Sequence, residues 1–354
     1  MKHLHYAVAL LAVTSPVTAQ TSHDSVSVRI LVDPRIELMS AIQLLSGYSL
    51  VTDHDFPYKR DVRVYFSPYA EHPAVKLFGE MSERFFSFDR VPKAMLSLSE
   101  PPALTPRMKV SSMILLAAGG RDQFERLVAA LREFAVETEF MRFFEAHRGT
   151  YDLIIEGTKD AIAPALAALE AYVGLPMAGA TVVLGPLLHD GGFAASYDSA
   201  PGGAEAYAFV GPSGTAEGLP DFGGADRLEG LVAHEVAHLV INPLTAEHRQ
   251  EVQRYRALYL PIEEVMRRQA YGSWETAVNE HIIHAINVRL TDRRHGEEAA
   301  EQQVERDLQR GFVHVPALVE RLREYEQDRE RYRTLADFYP RLLEVFAEAL
   351  EQDD

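Results

Sequence analysis

The stretch His234-Glu235-Val236-Ala237-His238 constrains this chain more than any other. On an α-helix of 3.6 residues per turn, histidines four apart project from one face, one turn above the other. Leu228, Leu231, Val232, Val236, Leu239 and Val240 supply an apolar surface around them, so the pattern predicts a helix that packs against the rest of the fold. Asp226, with Glu229 three residues on, is read as its N-cap in a capping box. Asn242-Pro243 is read as its stop, one turn past the second histidine. Two imidazoles at this spacing can hold Zn²⁺ through nitrogens at about 2.0–2.1 Å. Glu235, beside the first, is placed to take a proton from water at such a site. A chance match to this pattern would usually lie on a polar, solvent-washed helix. Here the histidines sit among apolar residues, where buried imidazoles need partners.

A catalytic zinc site takes a third protein ligand and keeps one position for water. The metzincin continuation would put Gly at 241 and His at 244; the chain has Ile241 and Leu244, so that class is excluded. A glutamate on a later helix is the other common solution. Residues 274–287 form such a segment, with Ala277, Val278, Ile282 and Ala285 apolar and with Glu280 and His284 on one face. Glu280 is the expected third ligand, with Glu275 and His284 as alternatives. The chain's only three asparagines (Asn242, Asn279, Asn287) and its only tryptophan, Trp274, all lie in these two segments.

The 354 residues include 35 basic and 52 acidic side chains, 47% hydrophobic residues and no cysteine. Absent cysteine excludes disulfide frameworks, thiolate zinc sites, iron–sulfur clusters and thiol nucleophiles. A formal charge of −17 argues against nucleic acid and anionic membrane surfaces as partners, because no basic surplus is present to displace counterions. Lys2, the apolar run Tyr6 to Val13 and the small-residue exit Val17-Thr18-Ala19 read as a secretory signal peptide over residues 1–19, cleaved after Ala19. The mature chain is therefore expected to be periplasmic or secreted, with no integral membrane segment left after cleavage.

Residues 20–178 read as a helical N-terminal region behind one short strand at Ser25–Val32. Its helices are expected from Asp33-Pro34 to Gly47, around Asp61–Phe66, at Pro73–Phe85, at Asp122–Val136 and at Ala161–Val173. Phe140, Phe143, Phe144, His147, Tyr151, Ile154 and Ile155 share one helical face, which predicts a single helix there rather than a local strand. Three prolines mark Ser99–Pro106 as a loop or linker. Residues 179–354 are read as the catalytic region. Strand-like runs at Thr181–Leu184, Phe193–Tyr197 and Ala206–Val210 form a small sheet, followed by helices broken at Pro243, Pro261, Gly272, Gly296, Gly311–Pro316 and Pro340. The expected class is α+β, mostly helical, with a small mixed sheet preceding the histidine helix. His72, His147 and His189 are read as packing or surface histidines. The charged runs Glu297–Arg310 and Glu320–Arg333 are read as solvated helix faces.

His-Glu-x-x-His followed by Val-Ile-Asn-Pro-Leu, with Trp274 through Asn279-Glu280 on a later helix, resembles the gluzincin metallopeptidases. More narrowly, together with Asp33-Pro34-Arg35-Ile36-Glu37-Leu38 and the Phe66 to Val75 stretch, it resembles an uncharacterised bacterial family of secreted HExxH proteins, a domain of unknown function. The resemblance implies a zincin-like core, Zn²⁺ held by His234, His238 and Glu280, and hydrolysis of a peptide or protein substrate with Glu235 as general base. It also implies an oxyanion donor, for which Tyr259, Tyr271, His314, Tyr332 and Tyr339 are open candidates, and an edge strand that binds extended peptide, for which Phe193–Tyr197 is the candidate. Gluzincins often place an acid four residues after the glutamate ligand; His284 stands there, so the ligands' support must be built differently. The alternative function is a non-proteolytic, zincin-like protein that binds peptides or envelope material.

Overall fold

Asp33 joins the first strand to the first helix, β1 (Arg29–Leu31) to α1 (Pro34–Ser46), and its carboxylate accepts the Arg35 backbone N–H at 2.8 Å. Pro34 suits a helical first turn, where its missing N–H leaves nothing unpaired. Gly47, at φ 72°, ends the helix as a left-handed cap. The computed structural model describes residues 29–175, 180–199 and 203–353; the expected signal peptide over residues 1–19 lies outside them.

Seven helices follow: α2 (Pro57–Phe66), α3 (Pro73–Ser82), α4 (Arg90–Leu96), α5 (Ser112–Ala117), α6 (Arg121–Glu137), α7 (Phe140–Ala146) and α8 (Arg148–Val173). The apolar face expected over residues 140–155 is buried as a stripe, but on two helices that meet at His147. The His147 ring nitrogen lies 2.9 Å from the Phe143 carbonyl, the group a continuing helix would give to the His147 N–H, which bonds Phe144 instead. Beyond that break α8 runs unbroken to Val173, with Pro164 inside it, where a separate helix from Ala161 was expected.

The sheet contains β2 (Ala180–Leu184), β3 (Gly191–Ser199) and β4 (Gly203–Gly211) in the order β1-β2-β4-β3. Its first three strands are parallel, and β3 runs antiparallel along β4 as an edge. β5 (Gly214–Ala216) and β6 (Leu219–Asp221) form a separate ribbon. The protein is therefore α+β and mostly helical, with a small mixed sheet ahead of the histidine helix.

That helix is α9 (Ala225–Glu247); α10 (Arg249–Val252), a 3-10 segment over Gln253–Tyr259, α11 (Glu263–Arg268), α12 (Trp274–His295), α13 (Glu297–Gln309), α14 (Val315–Gln327) and α15 (Leu335–Asp353) complete the chain. α9 starts after Gly224, so Asp226 lies in its first turn and the expected capping box does not form. Glu229 instead receives Arg294 at 2.7 Å and faces His295 at 3.4 Å. Pro243 does not stop α9. A proline inside a helix removes one backbone hydrogen bond, and here the turn beyond it buries Thr245, whose hydroxyl donates to Asn279 Oδ1 and bonds the Tyr339 hydroxyl. Pro340 likewise sits inside α15 between fully buried Tyr339, Leu342 and Leu343. The other expected breaks do separate elements. α9 packs against β3 and β4 and against α8 and α12. Among the described residues no helix is long and apolar enough to cross a membrane.

Candidate metal centre

Helices α9 and α12 lie side by side and are tied by amides. Asn287 Nδ2 donates to the Gly230 carbonyl at 3.2 Å, and Asn279 accepts the Thr245 hydroxyl. This register sets Glu280 of α12 opposite both histidines of α9. His234 Nε2 lies 3.3 Å from Glu280 Oε2, and His238 Nε2 lies 3.4 Å from Oε1, so each carboxylate oxygen faces one imidazole. The three ligand atoms are within 4.8 Å of one another, the spacing of a group that can hold a metal ion. The histidine side chains keep 15% and 16% of their surface exposed and Glu280 keeps 5%, so the cluster is buried but reachable.

Charge is distributed unevenly over it. Burial pushes Glu280 up, but the His234 hydrogen bond and the charges of His234, His238 and His284 outweigh it and hold the carboxyl at about 2. Burial lowers His234, and Glu280 more than compensates, leaving it raised. At His238 burial dominates and the ring is lowered. Glu235, buried beside the cluster, is pushed up to about 7 by burial, against the His234 charge. Its side chain lies on the edge strand: a Cβ built on Gly192 would come 3.0 Å from Glu235 Cγ and 2.8 Å from the Phe209 carbonyl. Gly192 thus lets the general-base candidate touch the backbone of β3.

The residues behind the cluster test whether a cation belongs there. His238 Nδ1–H donates to Asn242 Oδ1 at 3.2 Å, which leaves the lone pair of Nε2 directed at a carboxylate oxygen. Two acceptors face each other, and a cation between them satisfies both; N, N, O donors suit zinc. Apart from the His234 contact at 3.3 Å, Glu280 Oε2 has no hydrogen-bond partner among the described residues, in keeping with an oxygen kept for such a ligand.

Glu275 is not at the site; it forms two bonds of 3.0 Å to Arg249 at the surface. His284 lies behind His234, with ring centroids 5.2 Å apart. Its Nδ1 donates to Asp307 at 2.8 Å, and its ring stacks on Phe312 at 4.0 Å. The run Glu297–Arg310 is a solvated face in its other charged residues, but Asp307 is an exception, 3% exposed and paired inward. The run Glu320–Arg333 is likewise mostly exposed, with buried Arg321 and partly exposed Glu326 among its exceptions; Glu326 accepts Nε and Nη2 of buried Arg289 at 2.9 and 2.7 Å. Of the oxyanion candidates, Tyr271 alone shares a cavity of about 770 Å³ with His234, Glu235 and His284, and its hydroxyl is raised by burial and by the charges of Glu280 and Glu235. Tyr259 donates to the Tyr271 carbonyl at 2.7 Å, Tyr339 is engaged with Thr245, Tyr332 packs on Phe338, and His314 packs against Trp274, Phe346 and His281.

Fold and site define a mostly helical α+β protein built around a buried His–His–Glu cluster that opens on a cleft. The chain belongs to the family described as Domain of unknown function (DUF4932), whose model matches residues 28–345. No curated protein and no solved structure matches it.

Proposed function

We propose that this protein is an exported zinc-dependent metallopeptidase, periplasmic or secreted, that hydrolyses peptide bonds with Glu235 as general base. The observation that carries the reading is the convergence of three donors from two helices beside a buried carboxylate that rests on an edge strand. His234 and His238 through Nε2, and Glu280 through its carboxylate, are the residues that would hold the ion. When bound there, zinc supplies Lewis acidity to a carbonyl and to water. Glu235 takes the proton from the attacking water and returns it to the leaving amine. The Tyr271 hydroxyl, in the same cavity, donates to the developing oxyanion. The free edge of β3 offers backbone groups to an extended peptide, and Gly192 lets that peptide approach Glu235 without a side chain between them.

The test compares wild type with Glu235→Gln on a mixed peptide library under zinc-replete conditions. The substitution preserves size and removes the proton acceptor, so turnover is expected to fall by about 10²–10⁴ while each protein still binds one zinc per chain. Equal cleavage by both proteins would overturn the role of Glu235. No cleavage by zinc-loaded wild type would leave peptide binding without hydrolysis as the function.

A further inference from the structure

The cavity that opens at His234 and Glu235 continues between α12 and α13, past His284, Asn287 and Thr291 on one wall and Gln303, Arg306 and Arg310 on the other. Two buried polar atoms of residues on its lining, His284 Nε2 and Asn287 Oδ1, have no hydrogen-bond partner among the described residues, although those residues are only 6% and 7% exposed. Such atoms are costly in a finished core and ordinary in a ligand site.

The cations of this wall are unevenly matched. Arg294 is neutralised by Glu229 at 2.7 Å and Arg227 by Asp190. Asp307, the acid of α13 that lines the cavity, is taken by His284 at 2.8 Å and lies 4.0 Å from Arg310; exposed Glu305, two residues earlier, lies outside the cavity lining. Arg306 has no ion pair and no side-chain hydrogen bond among the described residues, in a chain with 52 acidic side chains to choose from. Arg306 and Arg310 are four apart and therefore neighbours on the cavity face, an arrangement that is unfavourable without an anion between them. The helix dipole favours cations at a C-terminus, but it acts on any residue of the last turn and does not choose the cavity face.

Arg310 is also held in place. Its guanidinium lies over the Phe312 ring at 5.1 Å, its Nε donates to Gln269 Oε1 at 3.3 Å, and Phe312 in turn stacks on His284. Arg310 lines the same cavity as His234, Glu235 and Tyr271. A guanidinium fixed before binding loses little side-chain freedom when it receives a carboxylate.

We propose that this cleft selects peptides by a carboxylate close to the cleaved bond, received by Arg306 and Arg310 of α13. The inference rests on the peptidase reading for its substrate. The carboxylate comes from a Glu or Asp side chain or from the peptide's own C-terminus, and the test separates the two.

Three fluorescein-labelled peptide pools serve as probes. The first is blocked at both ends and carries Glu at each position in turn. The second is identical with Gln in place of Glu. The third keeps Gln and has a free C-terminal carboxylate. Zinc-loaded wild type is assayed for kcat/KM, and Glu235→Gln protein is assayed for binding by anisotropy, so recognition is read without turnover. The first or third pool is expected to exceed the second by about 10- to 100-fold in both assays. Arg306→Gln and Arg310→Gln, each introduced into both backgrounds, are expected to bring that ratio to within about threefold of one. Arg306 is exposed and unpaired, so its replacement tests the idea without endangering the fold. Cleavage without preference between the pools overturns carboxylate selection and leaves the peptidase reading standing. Selective binding that depends on these arginines, with no cleavage by any protein, sinks the peptidase reading and leaves carboxylate recognition in place. Neither cleavage nor selective binding removes both.

Discussion

Glu37 on α1 and Glu280 on α12 are buried to nearly the same degree, 2% and 3% exposed, yet the fold treats them oppositely. Around Glu37 the partners are hydroxyls: Tyr58 donates to Oε2, Tyr151 donates to Tyr58 at 2.9 Å, and Oε1 has no partner among the described residues. Burial therefore prevails, with Asp33 adding to it, and the carboxyl is pushed up to about 8, a neutral acid at physiological pH. Around Glu280 the partners are imidazoles, and the same burial is overcome, leaving a carboxylate at about 2. Burial sets the size of the penalty; the basic nitrogens supplied by a neighbouring helix decide whether the charge survives it. One region uses a carboxyl as a structural hydrogen-bonding group. The other keeps an anion where a cation can reach it.

The comparison breaks most sharply at Glu280. Glu280→Gln keeps the shape and removes the charge, so His234 and His238 lose the anion that makes them a three-donor site. Zinc affinity, measured by competition with a chromophoric chelator, is expected to fall by at least about 100-fold, or roughly 2.7 kcal/mol. Affinity within threefold of wild type would mean that the third ligand is another residue.

The same pair gives opposite pH dependences of stability. The Glu280 carboxyl is lowered in the fold, so its contribution is present above its ordinary value of 4.5 and is lost as pH falls through about 2. Glu37 is raised, so the unfolded chain releases that proton first. Its contribution is complete below 4.5 and is lost as pH rises through about 8. At about 1.4 kcal/mol per unit, this second swing is on the order of a few kcal/mol. Glu37→Gln is expected to flatten the fall in denaturant stability between pH 4.5 and 8. An unchanged slope would show that other groups cause it.

Much of the His–His–Glu cluster was legible in the sequence because it follows from helical periodicity. The spacing of His234 and His238 places them on one face, and the apolar positions of residues 274–287 give Glu280 a buried face to share. The clustering of Asn242, Asn279 and Asn287 carried meaning too: each binds a group of α9 or links α12 to it. What periodicity misreads is what tertiary contact decides. Pro243 looks like a stop until Thr245 is seen buried beyond it. His147 looks like one more position on an apolar stripe until its ring takes the Phe143 carbonyl. Asp307 sits in a charged run with nothing local to separate it from its neighbours, and only its contact with His284 shows that it points inward. That Tyr271, of the five candidates, lines the cavity was not legible, because its place depends on how the turn after α11 lies against α9 and α12.

The finest distinction concerns how the imidazoles are aimed, and Asn242 isolates it. Its side chain is exposed, so removing it costs little packing, and its one side-chain hydrogen bond among the described residues accepts the His238 Nδ1–H. That bond fixes both the rotation of the ring and which nitrogen keeps its lone pair for Glu280 or a cation. Asn242→Ala is expected to weaken zinc binding by about 10-fold, near 1.4 kcal/mol, while the melting temperature of the metal-free protein moves by less than about 2 °C. Asn242→Asp offers a stronger acceptor at the same place and is expected to bind zinc at least as tightly as wild type. If both variants bind like wild type, packing within α9 alone orients His238, and the parallel with Glu37, whose state is set by the groups hydrogen-bonded around it, ends at the carboxylate itself.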